Sequence, residues 1–254
     1  MRPCSLAEYS DDLSPQNLVA FLSQQHGNVL VASSAAISEA NRDFAREFGL
    51  EFQPADAYLI DHTAYAPALE RPEAPHTAVV LPCKESFVKN AAILPASANL
   101  NHCAPVVYRG VAHAVPEPHS PLLVPILHGL RSSYSAEPRV GESPDDSPYP
   151  DKPLAGSRAG LVSGFQTLES SRVVFAGSVD LFSDAFFEAK VPVKGGSEVA
   201  TGNRAFVRDV TQWVFQESGV LRIVSATHHR QGESEERSVY RIKDDLVSLP
   251  TAHV

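Results

Sequence analysis

The stretch FQTLESSRVVFAGSVDLFSDAFF, residues 165–187, joins a strand pattern to a helical pattern. Within it, Arg172–Ala176 is an apolar run rich in β-branched and aromatic residues, and the run Gly160–Phe165 just before it has a similar character. The polar residues Glu169–Ser171 separate the two runs. The pattern predicts two neighbouring strands joined by a turn, followed by a helical turn over Asp180–Phe187.

Towards the amino terminus the chain alternates between helix and strand. Ser14 and Pro15 are typical of a helix start, and apolar residues then recur at helical spacing to about Gln25. The apolar runs Val29–Ala32 and Ala57–Ile60 predict strands on either side of a second helix. Such an alternation is typical of a parallel sheet with helices on its faces.

The second helix is predicted from three apolar residues that fall on one helical face, Ile37, Phe44 and Phe48. The serines Ser33 and Ser34 precede it and could cap it. Gly49 stands where a residue of positive φ commonly ends a helix.

The clearest helix pattern runs from about Asn203 to Ser218. Thr201 or Asn203 could cap its start, and Gly219 could end it. One face is predicted to be apolar and buried, formed by Phe206, Val210, Trp213 and Val214. The opposite face is predicted to point to solvent, formed by Arg204, Arg208, Asp209 and Gln212.

Two proline-rich segments interrupt these patterns, near residues 62–76 and 131–155, and we expect both to be mobile surface loops. Between them, Thr77–Leu81 and Val106–Tyr108 predict two further strands.

The composition is that of an acidic, soluble, globular chain. The 254 residues include 21 Lys and Arg against 30 Asp and Glu, which gives a formal net charge of −9 and argues against a nucleic-acid partner. No apolar run approaches the roughly 18 residues of a membrane-spanning helix. The first ten residues, MRPCSLAEYS, lack the apolar core of a secretory signal. Taken alone, these features predict a cytosolic protein.

The three cysteines, Cys4, Cys83 and Cys103, have neither zinc-site spacing nor an even count. A bridge between Cys83 and Cys103 stays open, although we expect free buried thiols. Cys83 follows a predicted strand end, so it could act as a nucleophile with His102 or His113 as its base. That arrangement would indicate a hydrolase or amidotransferase-like enzyme as an alternative function.

Two histidine-containing pairs could bind a metal ion, but each has a simpler explanation. His228 and His229 are adjacent on an extended segment and therefore point to opposite sides. Asp61 and His62 lack a second ligand cluster at metal spacing.

Two oxygen-rich groups are equally explained by local structure. An anion could bind at Ser33–Ser34, but a helix cap accounts for these serines. Asp180, Asp184 and Glu188 could share one helix face, and capping and solvation explain them more simply. The chain thus predicts no catalytic residue, no cofactor and no metal ligand, and this favours a scaffold or interaction role.

Five blocks of sequence resemble, in the same order, the family of 48 kDa subunits of the dolichyl-diphosphooligosaccharide–protein glycosyltransferase, the oligosaccharyltransferase of the endoplasmic reticulum. The blocks are Gly27–Ser34, Tyr108–Val111, Pro121–Leu127, Phe165–Phe187 and Thr201–Glu233.

The resemblance implies an α/β fold, a flavodoxin-like layered sheet with helices on both faces, over residues 1–224. A hinge and the start of a β-rich region would follow over residues 225–254. It also implies a non-catalytic subunit of protein N-glycosylation, with the catalytic subunit and other subunits of the complex as partners.

Family members begin with a signal peptide and further strand and helix elements, and they end in a membrane helix. The resemblance therefore implies that this chain is truncated at both ends. It places the protein on the luminal side of the endoplasmic reticulum membrane, attached only through the missing carboxyl-terminal helix.

Overall fold

The computed structural model describes residues 14–95, 103–115, 119–138, 154–192 and 197–221, together with residues 225, 227–229, 232 and 234–235. The chain divides into two units, residues 1–219 and residues 220–254. All the helices and strands below lie in the first unit. The predicted β-rich region over residues 225–254 falls almost entirely outside the described residues.

Helices and strands alternate irregularly along the first unit. The helices are α1 (Pro15–Gln24), α2 (Glu39–Arg46), α3 (Cys83–Ser86), α4 (Asp184–Phe187) and α5 (Asn203–Val214). The strands are β1 (Val29–Ala32), β2 (Glu51–Phe52), β3 (Tyr58–Ile60), β4 (Val79–Leu81), β5 (Val106–Tyr108), β6 (His113–Ala114), β7 (Leu123–His128), β8 (Tyr134–Ala136), β9 (Ala159–Gln166), β10 (Arg172–Ala176), β11 (Lys190–Pro192) and β12 (Glu198–Ala200).

The main sheet is mixed rather than parallel. Its strand order is β1-β10-β9-β6-β2, and β7 also pairs with β9. Only the β1 and β10 strands run parallel among the strand pairs of the described residues; β3, predicted to continue a parallel sheet with β1, instead pairs antiparallel with β8. The α/β class is confirmed, whereas the strand partners differ, because alternation along the chain indicates element types but not which edges meet.

The β9 and β10 strands are neighbours joined by a turn, as predicted, and they lie in the middle of the main sheet. They pair antiparallel, with Val174 opposite Gly164. A five-residue turn joins them, in which the Thr167 amide donates to the carbonyl of Ser171 and Ser170 has a φ of 72°. A connection this short can only return the chain antiparallel.

Apolar side chains from β10 alternate between two layers. Val173 and Phe175 face the α1 and α2 side, where the Phe175 ring lies 5.3 Å from Phe44. Val174 and Ala176 face the α5 side. Because successive strand residues point to opposite faces, one strand anchors both helical layers. Helices therefore cover both faces of the sheet, as predicted.

Helix ends agree only in part with their predictions. Ser14 caps α1 by accepting from the Asn17 amide, and Gly49 follows α2 with a φ of 77°. The cap of α2 is Ser38, not Ser33 or Ser34.

The α5 helix differs from its prediction at both ends. Gly202 is its cap residue and makes no side-chain cap bond. Asn203 instead bonds the backbone of Val107 in both directions, at 2.8 Å each. The helix ends at Val214, well before Gly219. Asp209, predicted to face solvent, is buried.

Arg172 ties the end of α5 to the central strand. Its guanidinium lies over the Trp213 ring, 4.8 Å from the centroid. It donates to the carbonyls of Trp213, Ser218 and Gly219 at 2.6, 3.0 and 2.6 Å. A cation at this position satisfies carbonyls that a helix end leaves unpaired.

The two proline-rich segments contain more structure than predicted. Segment 62–76 includes a 3-10 turn, Pro67–Leu69, and buries Ala66 and Ala74. Strand β8 lies within 131–155, and residues 139–153 fall outside the described residues. Mobility of either segment stays a prediction.

A buried histidine sits inside the main sheet. His113 is fully buried, and its Nε2 lies 2.7 Å from the Ser163 hydroxyl. Gly160 leaves room for the ring, since a Cβ there would lie 2.6 Å from Nε2. Burial lowers the pKa of His113 to about 3.

We expect His113 to make the fold acid-sensitive. The unfolded chain binds a proton at His113 below about pH 6.5, whereas the folded chain does so only near pH 3. Stability is therefore full above that range and falls on acidification, by up to about 1.4 kcal/mol per pH unit. Urea unfolding of the wild type and of His113→Gln at several pH values measures the difference. Parallel stability curves for the two proteins would contradict it.

Candidate interaction surface

Two loops cross in direct backbone contact at one end of the main sheet. One is the loop after β5, Arg109–Val111, and the other is the loop after β10, Gly177–Ser178. The Val111 amide donates to the Gly177 carbonyl at 2.9 Å, and the Ser178 hydroxyl donates to the Arg109 carbonyl at 2.6 Å. We call this contact the glycine crossing.

At the glycine crossing neither loop has room for a side chain at its glycine. A Cβ at Gly110 would lie 2.0 Å from the Gly177 carbonyl oxygen, and a Cβ at Gly177 would lie 1.9 Å from the Val111 oxygen. The Tyr108 hydroxyl closes the contact by donating to the Val111 carbonyl at 2.6 Å. Glycine is required here by the close backbone approach rather than by a turn conformation.

The crossing lies at the carboxyl end of the parallel pair, where open α/β sheets commonly bind ligands. The Ser33 amide, which follows β1, donates to the Ala176 carbonyl at 2.8 Å. The Ser34 hydroxyl accepts from the Ala36 amide at 3.3 Å. These groups take part in the sheet and a local turn, so the geometry gives no support to an anion at Ser33–Ser34.

A buried arginine extends from the crossing towards the surface. Arg109 is 8% exposed; its Nε donates to Asp180 at 2.7 Å and its Nη1 to the Leu69 carbonyl at 2.7 Å. Its guanidinium also lies 5.2 Å from the centroid of the Phe186 ring. The exposed Arg71 reaches the same Asp180 oxygen at 3.4 Å. This ion pair joins segment 62–76 to the loop after β10.

The ion pair explains one of the predicted acidic residues. Asp180 lies in a separate 3-10 turn, Asp180–Phe182, and Asp184 begins α4. Asp184 and Glu188 are exposed. The three acidic residues therefore do not share one helix face, because the chain changes helix type between them.

Asp61 organises the start of segment 62–76 from inside the protein. Its carboxylate accepts from the Thr63 amide and hydroxyl, the Ala64 amide and the Ser132 hydroxyl, at 2.6 to 2.9 Å. Burial alone would raise the pKa of Asp61, but these hydrogen bonds together hold it below its ordinary value. The Asp61 carboxylate thus caps a turn, and this accounts for the residue without a metal ion.

His62 and His76 meet at the two ends of the same segment. Their Nδ1 atoms lie 2.6 Å apart, and the His62 Nε2 lies 2.9 Å from the Tyr134 hydroxyl. The Tyr65 ring packs on His76 with centroids 4.5 Å apart. Within the part of the chain that the structure describes, no three His, Cys, Asp or Glu residues are placed to hold a metal ion. His228 and His229 are exposed.

Cys83 and Cys103 form a disulfide, with their Cα atoms 6.3 Å apart. The expectation of free thiols is therefore wrong. A bridged sulfur has no thiolate to act as a nucleophile, so the hydrolase or amidotransferase-like alternative is not supported. Of its predicted bases, His113 is bonded to Ser163 inside the sheet, and His102 lies outside the described residues.

Sequence reasoning missed the features that shape this surface. The pairing of Arg109 with Asp180 and of His62 with His76 joins residues far apart in the chain, and no spacing rule connects them. The signal that could have found the crossing is the pair of sequences RGV and GSV, since each places a glycine within two residues of the end of a predicted strand.

The fold and surface define a mixed α/β domain. Its glycine crossing and its Arg109–Asp180 ion pair hold loops together. The family model described as "OST48, N-terminal domain" matches residues 2–217, and the chain belongs to this family. The resemblance seen in the sequence blocks is thereby confirmed.

Three relatives are named as the dolichyl-diphosphooligosaccharide–protein glycosyltransferase 48 kDa subunit. Identity is 34% over 230 residues for Caenorhabditis elegans, covering 89% of this chain and 48% of the relative. It is 35% over 247 residues for Arabidopsis thaliana, covering 95% and 52%. For Danio rerio it is 34% over 244 residues, covering 94% and 52%. The chain spans about half the length of these relatives. Among the described residues, no helix has the length and apolar character to cross a membrane.

We expect Gly177→Ala to lower the free energy of unfolding by about 3 kcal/mol or more, because its Cβ meets a backbone oxygen that cannot move aside. Gly49→Ala is the matched control. It has a positive φ but nothing within 4 Å of the new Cβ, so it should cost only about 1 kcal/mol. Urea unfolding measures both, and equal losses would contradict the crossing.

Replacing both Cys83 and Cys103 by serine should lower the free energy of unfolding by about 3 kcal/mol, because the bridge closes a 20-residue separation. Glu73→Gln, at an exposed position, should leave stability unchanged. Alkylation of the unreduced protein followed by mass spectrometry checks the pairing. Labelling of Cys83 and Cys103 before reduction would refute it.

Proposed function

We propose that this chain acts as part of a non-catalytic subunit of the oligosaccharyltransferase. That complex transfers a preassembled glycan from dolichyl diphosphate to asparagine residues of nascent proteins. The observation that carries the proposal is the family match over residues 2–217, together with relatives that carry the name of the 48 kDa subunit. The role assigned to the chain is to stabilise or position the catalytic subunit.

The geometry of the described residues supports a structural role. Gly110 and Gly177 lie in sequence blocks that resemble the family, and they serve backbone packing. Arg109 and Asp180, from the same blocks, neutralise each other. Side chains that pair with each other in this way hold a surface in one shape for a protein partner, so we infer that other subunits of the complex contact this domain.

The disulfide supports a luminal location. Disulfides persist in oxidising compartments such as the lumen of the endoplasmic reticulum and are rare in the cytosol. The bridge between Cys83 and Cys103 therefore favours the luminal side over the cytosolic location that composition alone predicts. Membrane attachment in the full-length subunit is assigned to a carboxyl-terminal helix, as the family resemblance implies.

The domain division is likewise a proposal. We assign residues 1–224 to a flavodoxin-like luminal domain and residues 225–254 to a hinge and the start of a β-rich domain. Helices on both faces of the main sheet favour the first assignment.

Depleting the full-length protein in its own organism should cause reporter glycoproteins to lose N-glycans, because the catalytic subunit loses a stabilising partner. Re-expression of the wild type should restore glycosylation, and re-expression of Gly177→Ala should restore it only in part. Glu73→Gln, an exposed position, is the matched control and should rescue fully. Normal glycosylation after depletion, or failure to co-purify with the catalytic subunit, would overturn the proposal.

A further inference from the structure

We propose that His62 and His76 form a pH-sensitive clasp that opens on acidification. The clasp joins the two ends of segment 62–76 where they meet, which we call the neck. These residues stand at the two ends of the segment, and their Nδ1 atoms face each other at 2.6 Å. Beside them, the Asp61 amide donates to the His76 carbonyl at 3.0 Å. The imidazole contact and this backbone bond lie at the ends of the segment. Next to them, the amides of Ala66 and Val80 donate to the carbonyls of Ala78 and Ala64 at 2.8 Å each and hold the start of the segment along β4.

Each imidazole is held from its other side. The His62 Nε2 lies 2.9 Å from the hydroxyl of Tyr134 on β8. The His76 ring packs on Tyr65, and the two histidine rings meet edge to face at 4.7 Å. These contacts fix the orientation of both rings, so the close Nδ1 pair is a built feature of the neck.

The contact between the Nδ1 atoms requires that one atom carries a proton and the other does not. A neutral imidazole has one donor and one acceptor nitrogen, whereas an imidazolium has two donors. If only one histidine is protonated on both nitrogens, the bond persists with a charged donor. When both are protonated, the two Nδ1 atoms present N–H groups and like charges to each other, and the contact breaks.

The other titratable groups at the neck are the carboxylates of Asp61 and Glu70 and the phenols of Tyr65 and Tyr134. Glu70 accepts from the amides of His76 and Ala78, and Asp61 accepts from Ser132 and the residues after it. Both carboxylates accept from amides and hydroxyls rather than from the two imidazoles.

The far end of segment 62–76 links the clasp to the interaction surface. Leu69 supplies the carbonyl that accepts from Arg109, and Arg71 reaches Asp180. Loss of the imidazole contact removes one of the contacts that order segment 62–76, to which Leu69 and Arg71 belong. Acid therefore loosens one side of the proposed interaction surface while the main sheet stays folded.

Hydrogen exchange of the full chain at about pH 7.5 and about pH 5.5, corrected for intrinsic rates, tests the clasp. Because His113 lowers global stability on acidification, we expect the protection of the amides between Thr63 and Thr77 to fall at the lower pH by about tenfold more than that of β10. Amides of β10 report global unfolding and provide the internal reference. Equal changes in the segment and in β10 would overturn the proposal.

His76→Asn supplies the decisive variant, because its amide offers one donor and one acceptor near the Nδ1 position but takes up no proton. In this variant the segment should lose no more protection on acidification than β10 does. A loss of protection on acidification equal to that of the wild type would refute the clasp. His62→Asn provides the same test from the other side of the neck if His76→Asn fails to fold, and Glu73→Gln should behave as the wild type.

Discussion

Backbone contact at the glycine crossing is the constraint on which the arrangement of this domain depends. The crossing brings the loop after β5 against the loop after β10, with Gly110 and Gly177 at the point of contact. The carbonyl of Gly110 also accepts from the Leu59 amide in β3. One contact therefore sets the relative positions of the main sheet, the β4–β5 pair and the β3–β8 pair, and the Arg109–Asp180 ion pair follows from it.

Three buried polar side chains link different strands and loops inside the domain through their hydrogen bonds. His113, Arg109 and Asp61 are buried, and each has a hydrogen-bond partner supplied by another strand or loop. Leaving one of these groups without a partner would lower the free energy of unfolding by about 2 kcal/mol or more. The pairings therefore specify which elements may meet. Apolar packing holds the layers together, and the polar pairs select their register.

Local features of the sequence predict much of the fold. The β9–β10 pair, the three longer helices and the burial of Phe44 and Trp213 all follow from periodicity and turn residues. The partners of β1 and β3 do not, because strand pairing depends on contacts between distant parts of the chain. The same reason applies to the Cys83–Cys103 bridge. Asp61, His62 and Asp180 stand out in the sequence as possible metal ligands or as part of an acidic helix face. Their actual partners, Ser132, His76 and Arg109, could not be predicted because they are distant in the chain or have no spacing signature.

The position of Arg172 has a mechanical consequence. Its guanidinium grips the carbonyls of Trp213, Ser218 and Gly219 from the first residue of β10. Tension applied to the chain at Gly219 therefore has a direct path to a strand in the middle of the sheet as well as to the end of α5. Since β10 pairs with β1 on one side and with β9 on the other, that load is shared with two neighbouring strands.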